Sequence, residues 1–263
     1  MLPRSSTLLA LALLAGCAVG RPAPRPAVPG RLPTAAEVEA SLTDRRQALQ
    51  GIRALAHMKY RDADTSGSAR EAIVIARPDR LRVEVLSVFG AQFLVATAGG
   101  RLTAYAPREG TVYRGAATAA NLARYARMPF EVDDLIDLVL ATPTRPGAVV
   151  GSVSFDPAAQ LVRLTWRAAD FERSVWLSTP GWPTVAEERG PDGQLLWRAT
   201  YDRFEPHGGV PLATRVVLDV AALEQHVELS LDDVDVNPTV DDALFALPVP
   251  PGARVVRLDA AAP

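Results

Sequence analysis

Apolar and polar residues alternate with a period of two along two long stretches of this chain, one on each side of a helical middle. Near the start of the first stretch, Ala56, Met58 and Tyr60 alternate with His57 and Lys59. This alternation is typical of antiparallel strands that bury one face, and clusters of Gly, Pro and Asp divide it into short segments. The chain is therefore predicted to be mainly β, in an α+β arrangement.

The predicted elements fall into three groups. Strands are expected before the middle at residues 53–61, 69–76, 81–85, 92–97, 102–106 and 111–114, and after it at 149–155, 160–167, 171–177, 184–189, 195–204, 212–220 and 225–234. Helices are expected at 34–52, 116–127 and 132–141. Thr34 with Glu37 three residues later predicts a capping box at the first helix. The chain is expected to end in a helical turn at 241–247 and an extended tail.

The amino terminus has the order of a secretory signal. Arg4 precedes a short apolar run at 7–14, and Leu-Ala-Gly-Cys follows at 14–17. This tetrad resembles the bacterial lipobox, which implies a signal peptide at 1–16, diacylglycerol on the sulfur of Cys17 and an N-acyl chain, palmitate for example, on its amine. Two or more acyl chains hold a protein stably on a bilayer. The alternative is an ordinary signal peptide with a chance cysteine.

The residues after Cys17 predict a spacer followed by one folded domain. Proline recurs through 17–33, which favours an extended tether, and 34–258 is predicted to form the domain, with 259–263 as a tail. Because Cys17 is the single cysteine, no intramolecular disulfide is possible. A formal net charge of −2 gives no electrostatic reason to expect a nucleic-acid partner.

The order of elements and three local stretches resemble the LolA/LolB superfamily, the bacterial carriers and outer-membrane receptors of lipoproteins. Residues 76–84 read ARPDRLRVE, 86–90 read LSVFG, and 244–247 read LFAL ahead of PPG at 250–252. The resemblance implies a strongly curved antiparallel sheet that forms an incomplete β-barrel, with the first helix and the central helical pair closing its cavity. The lipobox favours the receptor side, since the carrier has no lipid.

The resemblance also implies a function. The cavity would bind acyl chains of lipoproteins or other lipids, for lipoprotein localisation or lipid handling, and the protein would face the periplasm from the outer membrane and receive cargo from a periplasmic carrier protein. Strand alternation places a set of apolar side chains on the inward face. The predicted cavity residues are Met58, Leu81, Val83, Val85, Val162, Leu164, Trp166 and Trp197. For the tryptophans, an ordinary core position is the alternative.

Phe89 is predicted to lie at a hairpin tip, where a core residue is not expected. In the position that matches the receptor's apolar loop, it would insert into the membrane. The alternative is that Phe89 folds back onto the barrel.

No catalytic motif stands out in the sequence. The three histidines, His57, His207 and His226, fall on strand positions facing solvent or in a turn. The acidic pair at 133–134 is expected at a helix start, and the acidic clusters at 187–188 and 232–235 are expected at exposed strand or turn positions, with a calcium site at 232–242 as a minor alternative. The chain is therefore predicted not to be an enzyme and to need no cofactor or metal beyond the covalent lipid on Cys17. The alternative function is a structural or assembly lipoprotein that binds a protein partner. A deep apolar cavity would favour lipid binding, and a filled core with a conspicuous outer patch would favour the protein partner.

Overall fold

The structure, a computed structural model, describes residues 31–88, 90–126, 128–145, 149–179 and 181–259. These residues form three α-helices and a single sheet of fourteen strands. The helices are α1 (Ala35–Ala48), α2 (Ala119–Ala126) and α3 (Val132–Val139). The strands are β1 (Gly51–Arg61), β2 (Ser66–Ala76), β3 (Arg80–Ser87), β4 (Gly90–Ala98), β5 (Arg101–Ala106), β6 (Thr111–Ala116), β7 (Val149–Asp156), β8 (Leu161–Arg167), β9 (Glu172–Leu177), β10 (Pro183–Arg189), β11 (Leu195–His207), β12 (Val210–Val220), β13 (Gln225–Val236) and β14 (Arg254–Arg257).

The sheet joins two antiparallel meanders. Strands β1 to β6 form one and β7 to β13 form the other, and they meet where β1 pairs with β13. The two ends of the sheet, β7 and β14, do not pair with each other in this strand order, so the curved sheet stays open. This confirms the predicted incomplete barrel. Among the described helices, none is long and apolar enough to cross a membrane.

Helix α1 begins as predicted and ends earlier. The backbone N–H of Glu37 donates to Thr34 Oγ1 at 3.2 Å, and the Glu37 carboxylate accepts from the Thr34 N–H at 2.7 Å, which is the predicted capping box. The helix stops at Ala48, where the Asn237 side-chain amide donates to the last carbonyl at 2.8 Å. The predicted end at residue 52 was wrong because the group that terminates the helix comes from a distant part of the chain.

Strand β1 starts at Gly51 because its backbone lies very close to β2. A Cβ atom at Gly51 would stand 2.2 Å from the carbonyl oxygen of Ile75, a distance that no side chain tolerates. Glycine therefore lets the first two strands pair directly after the helix, and this close approach fixes where α1 gives way to the sheet.

The helices cover the concave face of the sheet in two places. A large apolar core lies between the central strands and helices α2 and α3. A smaller core lies under α1, where Val38 and Leu42 pack against Leu164, Trp166 and Val175. The helices thus fill part of the half-barrel, and only the remainder is open.

Ion pairs hold α3 over the sheet. Asp137 of α3 is buried. Its carboxylate accepts hydrogen bonds from Arg46 Nε at 3.0 Å, from Arg77 Nη2 at 2.5 Å and from Thr142 Oγ1 at 2.8 Å. One turn earlier, Asp134 accepts from Arg173 Nη1 at 3.0 Å. These two carboxylates join α3 to α1, to the β2–β3 connection and to β9.

The last part of the chain differs from its prediction. The helical turn is present as a 3-10 turn at Asp242–Phe245, but the expected extended tail contains β14, which pairs in parallel with β6 from Arg254↔Thr111 to Arg257↔Arg114. Four residues are too few for alternation to distinguish a strand from an extended tail.

Candidate binding cavity

A cavity of about 630 Å³ lies between the concave face of the sheet and helices α2 and α3. Strands β1 to β4, β12 and β13 form its walls, and α2 and α3 cover it. Its volume is within the roughly 300–1,000 Å³ of ordinary small-molecule sites. The resemblance implied a cavity closed by the first helix and the central helical pair; α2 and α3 cover it, whereas α1 packs over the second core.

The lining of the cavity is mostly apolar. Ile73, Leu81 and Val95 contribute from the sheet, and Leu135 and Leu138 contribute from α3. These side chains offer dispersion contacts and no charge, so the environment suits hydrocarbon.

Polar side chains lie toward the end of the cavity nearest the β1–β2 and β3–β4 connections. Thr65 and Ser68 are exposed there, and Gln92 is half-buried. The cavity therefore has a polar, solvent-exposed end, called the wet end below, and an apolar interior.

Four of the predicted cavity residues line the cavity together. Met58 is on β1, and Leu81, Val83 and Val85 follow one another on the inward face of β3. Strand alternation found them because each belongs to the buried phase of a central strand.

Three others lie elsewhere. Val162, Leu164 and Trp166 face the second core beneath α1, and Trp166 is 1% exposed with its indole Nε1 donating to Glu39 at 3.2 Å. Their predicted place in a common interior with β3 is corrected. Alternation identifies the inward face of a strand, but it does not tell whether a helix already covers that face.

Trp197 is also a core residue and not part of the cavity wall. Its ring meets Phe130 edge-on at 6.0 Å between centroids, and the guanidinium of Arg173 lies 5.1 Å from its centroid. The ordinary core alternative therefore describes this tryptophan, and the prediction that it lines the cavity is corrected.

Sequence reasoning missed Glu71, a carboxyl group in the cavity wall. Glu71 is on β2, in the same inward phase as Ala69, Ile73 and Ile75, and it is 5% exposed. Burial raises the pKa of Glu71 to about 7. A glutamate on the apolar phase of a strand was the signal in the sequence that would have identified it.

Among the described residues of the cavity wall, Glu71 is the one acidic residue, and none is a Lys, Arg or His. Gln225, at the start of β13, also lines the cavity, and its buried side-chain oxygen has no hydrogen-bond partner in the described part of the chain. No group of three or more His, Cys, Asp or Glu among the same residues is placed to hold a metal ion.

Some predicted site residues fall outside the described ranges. These are the signal peptide, Cys17, the tether up to residue 30, and Phe89. Val88, beside Phe89 in the β3–β4 connection, is described and is 92% exposed. Val85 and Gln92, on the two strands that meet at this connection, both line the cavity. Val88 is thus an exposed apolar residue close to the wet end.

Comparisons with known proteins agree on the fold. No protein-family model and no curated protein matches the sequence. A LolA superfamily protein from Nitrosomonas europaea matches with a TM-score of 0.55 and 14% identity, over 82% of this chain and 99% of that one.

Two further solved structures match similarly. An outer membrane lipoprotein-sorting protein domain from Vibrio parahaemolyticus has a TM-score of 0.55 and 15% identity, over 80% of this chain and 94% of that one. A DUF1329 family protein from Desulfovibrio piger has a TM-score of 0.53 and 12% identity, over 81% of this chain and 95% of that one. The protein therefore has the LolA-like fold, as the sequence resemblance implied.

Proposed function

We propose that this protein binds the acyl chains of lipoproteins or other lipids in its half-barrel cavity, for lipoprotein localisation or lipid handling. The observation that carries the proposal is the cavity of about 630 Å³, apolar in its interior and open at a polar end. Each CH2 group moved from water into such a space contributes about 0.8 kcal/mol. A hydrocarbon chain needs no charged partner for this, and no covalent catalysis or cofactor is involved.

The proposed location is the periplasmic face of the outer membrane, with the lipid on Cys17 as anchor and the proline-rich tether as spacer. The lipobox-like tetrad at 14–17 supports this location. One of the proteins with the same fold is described as an outer membrane lipoprotein-sorting domain, which supports lipoprotein cargo delivered by a periplasmic carrier protein. An open cavity also supports lipid binding over a purely structural role with a protein partner.

Filling the cavity should abolish acyl binding. Ala69 lines the cavity near its wet end and is only half-buried, so Ala69→Trp adds a large apolar side chain without displacing the inner core. We expect the variant to keep its melting temperature and to lose most binding of a fluorescent fatty acid. The matched control is Arg70→Trp, which puts the same side chain on the exposed, opposite face of β2. Equal binding by both variants would contradict the assignment of the cavity as the acyl site.

The β3–β4 connection should act in release of cargo to a membrane. Burying one apolar side chain in the bilayer interface contributes about 1.5–3 kcal/mol, and about 1.4 kcal/mol corresponds to tenfold in an equilibrium constant. Val88→Glu combined with Phe89→Glu should therefore slow transfer of a bound acyl probe to liposomes by about tenfold or more, with binding and folding unchanged.

Val149→Glu is the control for this loop, because Val149 is 72% exposed on β7, at the far edge of the sheet. It should leave transfer unaffected. If the Val88→Glu, Phe89→Glu double variant transfers the acyl probe to liposomes at the normal rate, the β3–β4 connection has no membrane role. If its melting temperature falls, the connection packs onto the barrel.

A further inference from the structure

Glu71 occupies an unusual position in the cavity wall. Its register partners are Ala56 on β1 and Val85 on β3, so apolar residues flank it on both neighbouring strands. Within the described ranges no group pairs with its carboxyl group, and burial alone shifts its pKa upward. It is nevertheless 95% buried, since only 5% of the residue is exposed. Its carboxyl oxygens are not among the fully buried atoms without a partner, so a ligand in the cavity is able to reach them and to offset the cost of burying the group.

Among the described residues that line the cavity around Glu71, none is a cation. On the described cavity wall, the other titratable side chain is Tyr60 of β1. Strands β3 and β4 present apolar groups and Gln92, β12 and β13 present apolar groups and Gln225, and helices α2 and α3 present apolar groups alone. The partner of Glu71 must therefore come from a ligand. An anionic headgroup would be repelled, and a neutral one would form only an ordinary hydrogen bond.

We propose that the cavity selects amphiphiles with a primary amine at the head of the hydrocarbon chain, and that Glu71 binds the ammonium group while the chain occupies the apolar interior. The inference rests on the proposed acyl-binding role only in requiring that hydrocarbon enters the cavity. A hydrogen bond between charged groups out of water is stronger than one to a neutral group. The amine keeps its proton at neutral pH, like a lysine side chain.

The position of Glu71 along β2 suits this arrangement. Going inward along the strand, Ile73 lines the apolar interior, and going outward, Ala69 and Ser68 lead to the wet end. A headgroup at Glu71 would lie part-way along the cavity, with its chain directed toward α3. Binding an ammonium there also favours the ionised carboxylate, so uptake of the amine near neutral pH should release protons.

The test compares chain-matched ligands on the full-length lipidated protein in phosphatidylcholine nanodiscs. Dodecylamine and dodecanol each displace an uncharged fluorescent alkyl probe, and their affinities are measured for wild type, Glu71→Gln and Glu84→Gln. Glu84 is the control carboxyl group on the outer face of β3, where it accepts from Arg82 at 2.7 Å. We expect wild type and Glu84→Gln to prefer the amine at pH 8 by about tenfold or more, as for a hydrogen bond between charged groups, and Glu71→Gln to lose that preference while still binding the alcohol.

The pH dependence of the amine preference of wild type tests the same inference without relying on the folding of any variant. The amine preference should shrink as the pH falls from 8 to 5.5, because Glu71 becomes protonated. Equal affinity for amine and alcohol at pH 8 would overturn the inference while leaving acyl binding intact. Failure of both ligands to displace the probe would instead overturn the acyl-binding proposal together with the inference.

Discussion

Replacing Asp137 by alanine is expected to lower the free energy of unfolding by about 3–5 kcal/mol. The carboxylate is buried and accepts hydrogen bonds from two arginines and Thr142. Its removal leaves the guanidinium of Arg77, whose side chain is 5% exposed, buried without its main partner. Chemical denaturation monitored by circular dichroism measures the loss.

Two controls separate this effect from a general loss of charge. Asp235→Ala removes one partner of the exposed pair with Arg53, and it should cost about 0–1 kcal/mol. Arg77→Met combined with Asp137→Ala should cost less than the sum of the single changes, because no unpaired cation remains. If Asp137→Ala cost no more than Asp235→Ala, the ion pairs of α3 would not hold the helix on the sheet.

The second large effect is a pH dependence of stability that originates at Glu71. Burial raises the pKa of this group from 4.5 to about 7 in the folded protein. Between these values the folded state binds more protons than the unfolded state, so stability falls as the pH rises from about 4.5 to 7 and stays lower above that. At 1.36 kcal/mol per pH unit, the full loss is about 3 kcal/mol.

Glu71→Gln should therefore become more stable relative to wild type as the pH rises, by about 3 kcal/mol between pH 4.5 and 8.5. Melting curves of both proteins across this range give the difference. A constant difference between Glu71→Gln and wild type would mean that the carboxyl group titrates normally.

Most of the sheet follows from the sequence because alternation is a local signal. Strands β1 and β3 show it clearly, and the four cavity residues found in advance, Met58 and the three on β3, all come from them. The capping box at Thr34 is equally local. Properties that depend on one strand and its own side chains were therefore predictable.

The rest depends on contacts between distant segments. The side chain of Asn237 terminates α1. Helix α1 in turn covers the inward face of β8, and the sequence of β8 alone does not indicate that Leu164 packs against a helix. The ion pairs of α3 likewise join residues far apart in sequence, such as Arg77 and Asp137. Glu71 is the exception. It interrupts an apolar phase that is visible in β2 itself.

The pairing of β1 with β13 has a consequence for how the chain folds. Ile52 lies opposite Val236, so a strand from the beginning of the domain finds its partner only near the end. Contacts this distant in sequence close slowly, since the loop entropy is lost before they form. One edge of β1 therefore stays unpaired until β13 is available, and an unpaired edge is prone to aggregate. A chaperone that covers strand edges would be most useful to this protein in that interval.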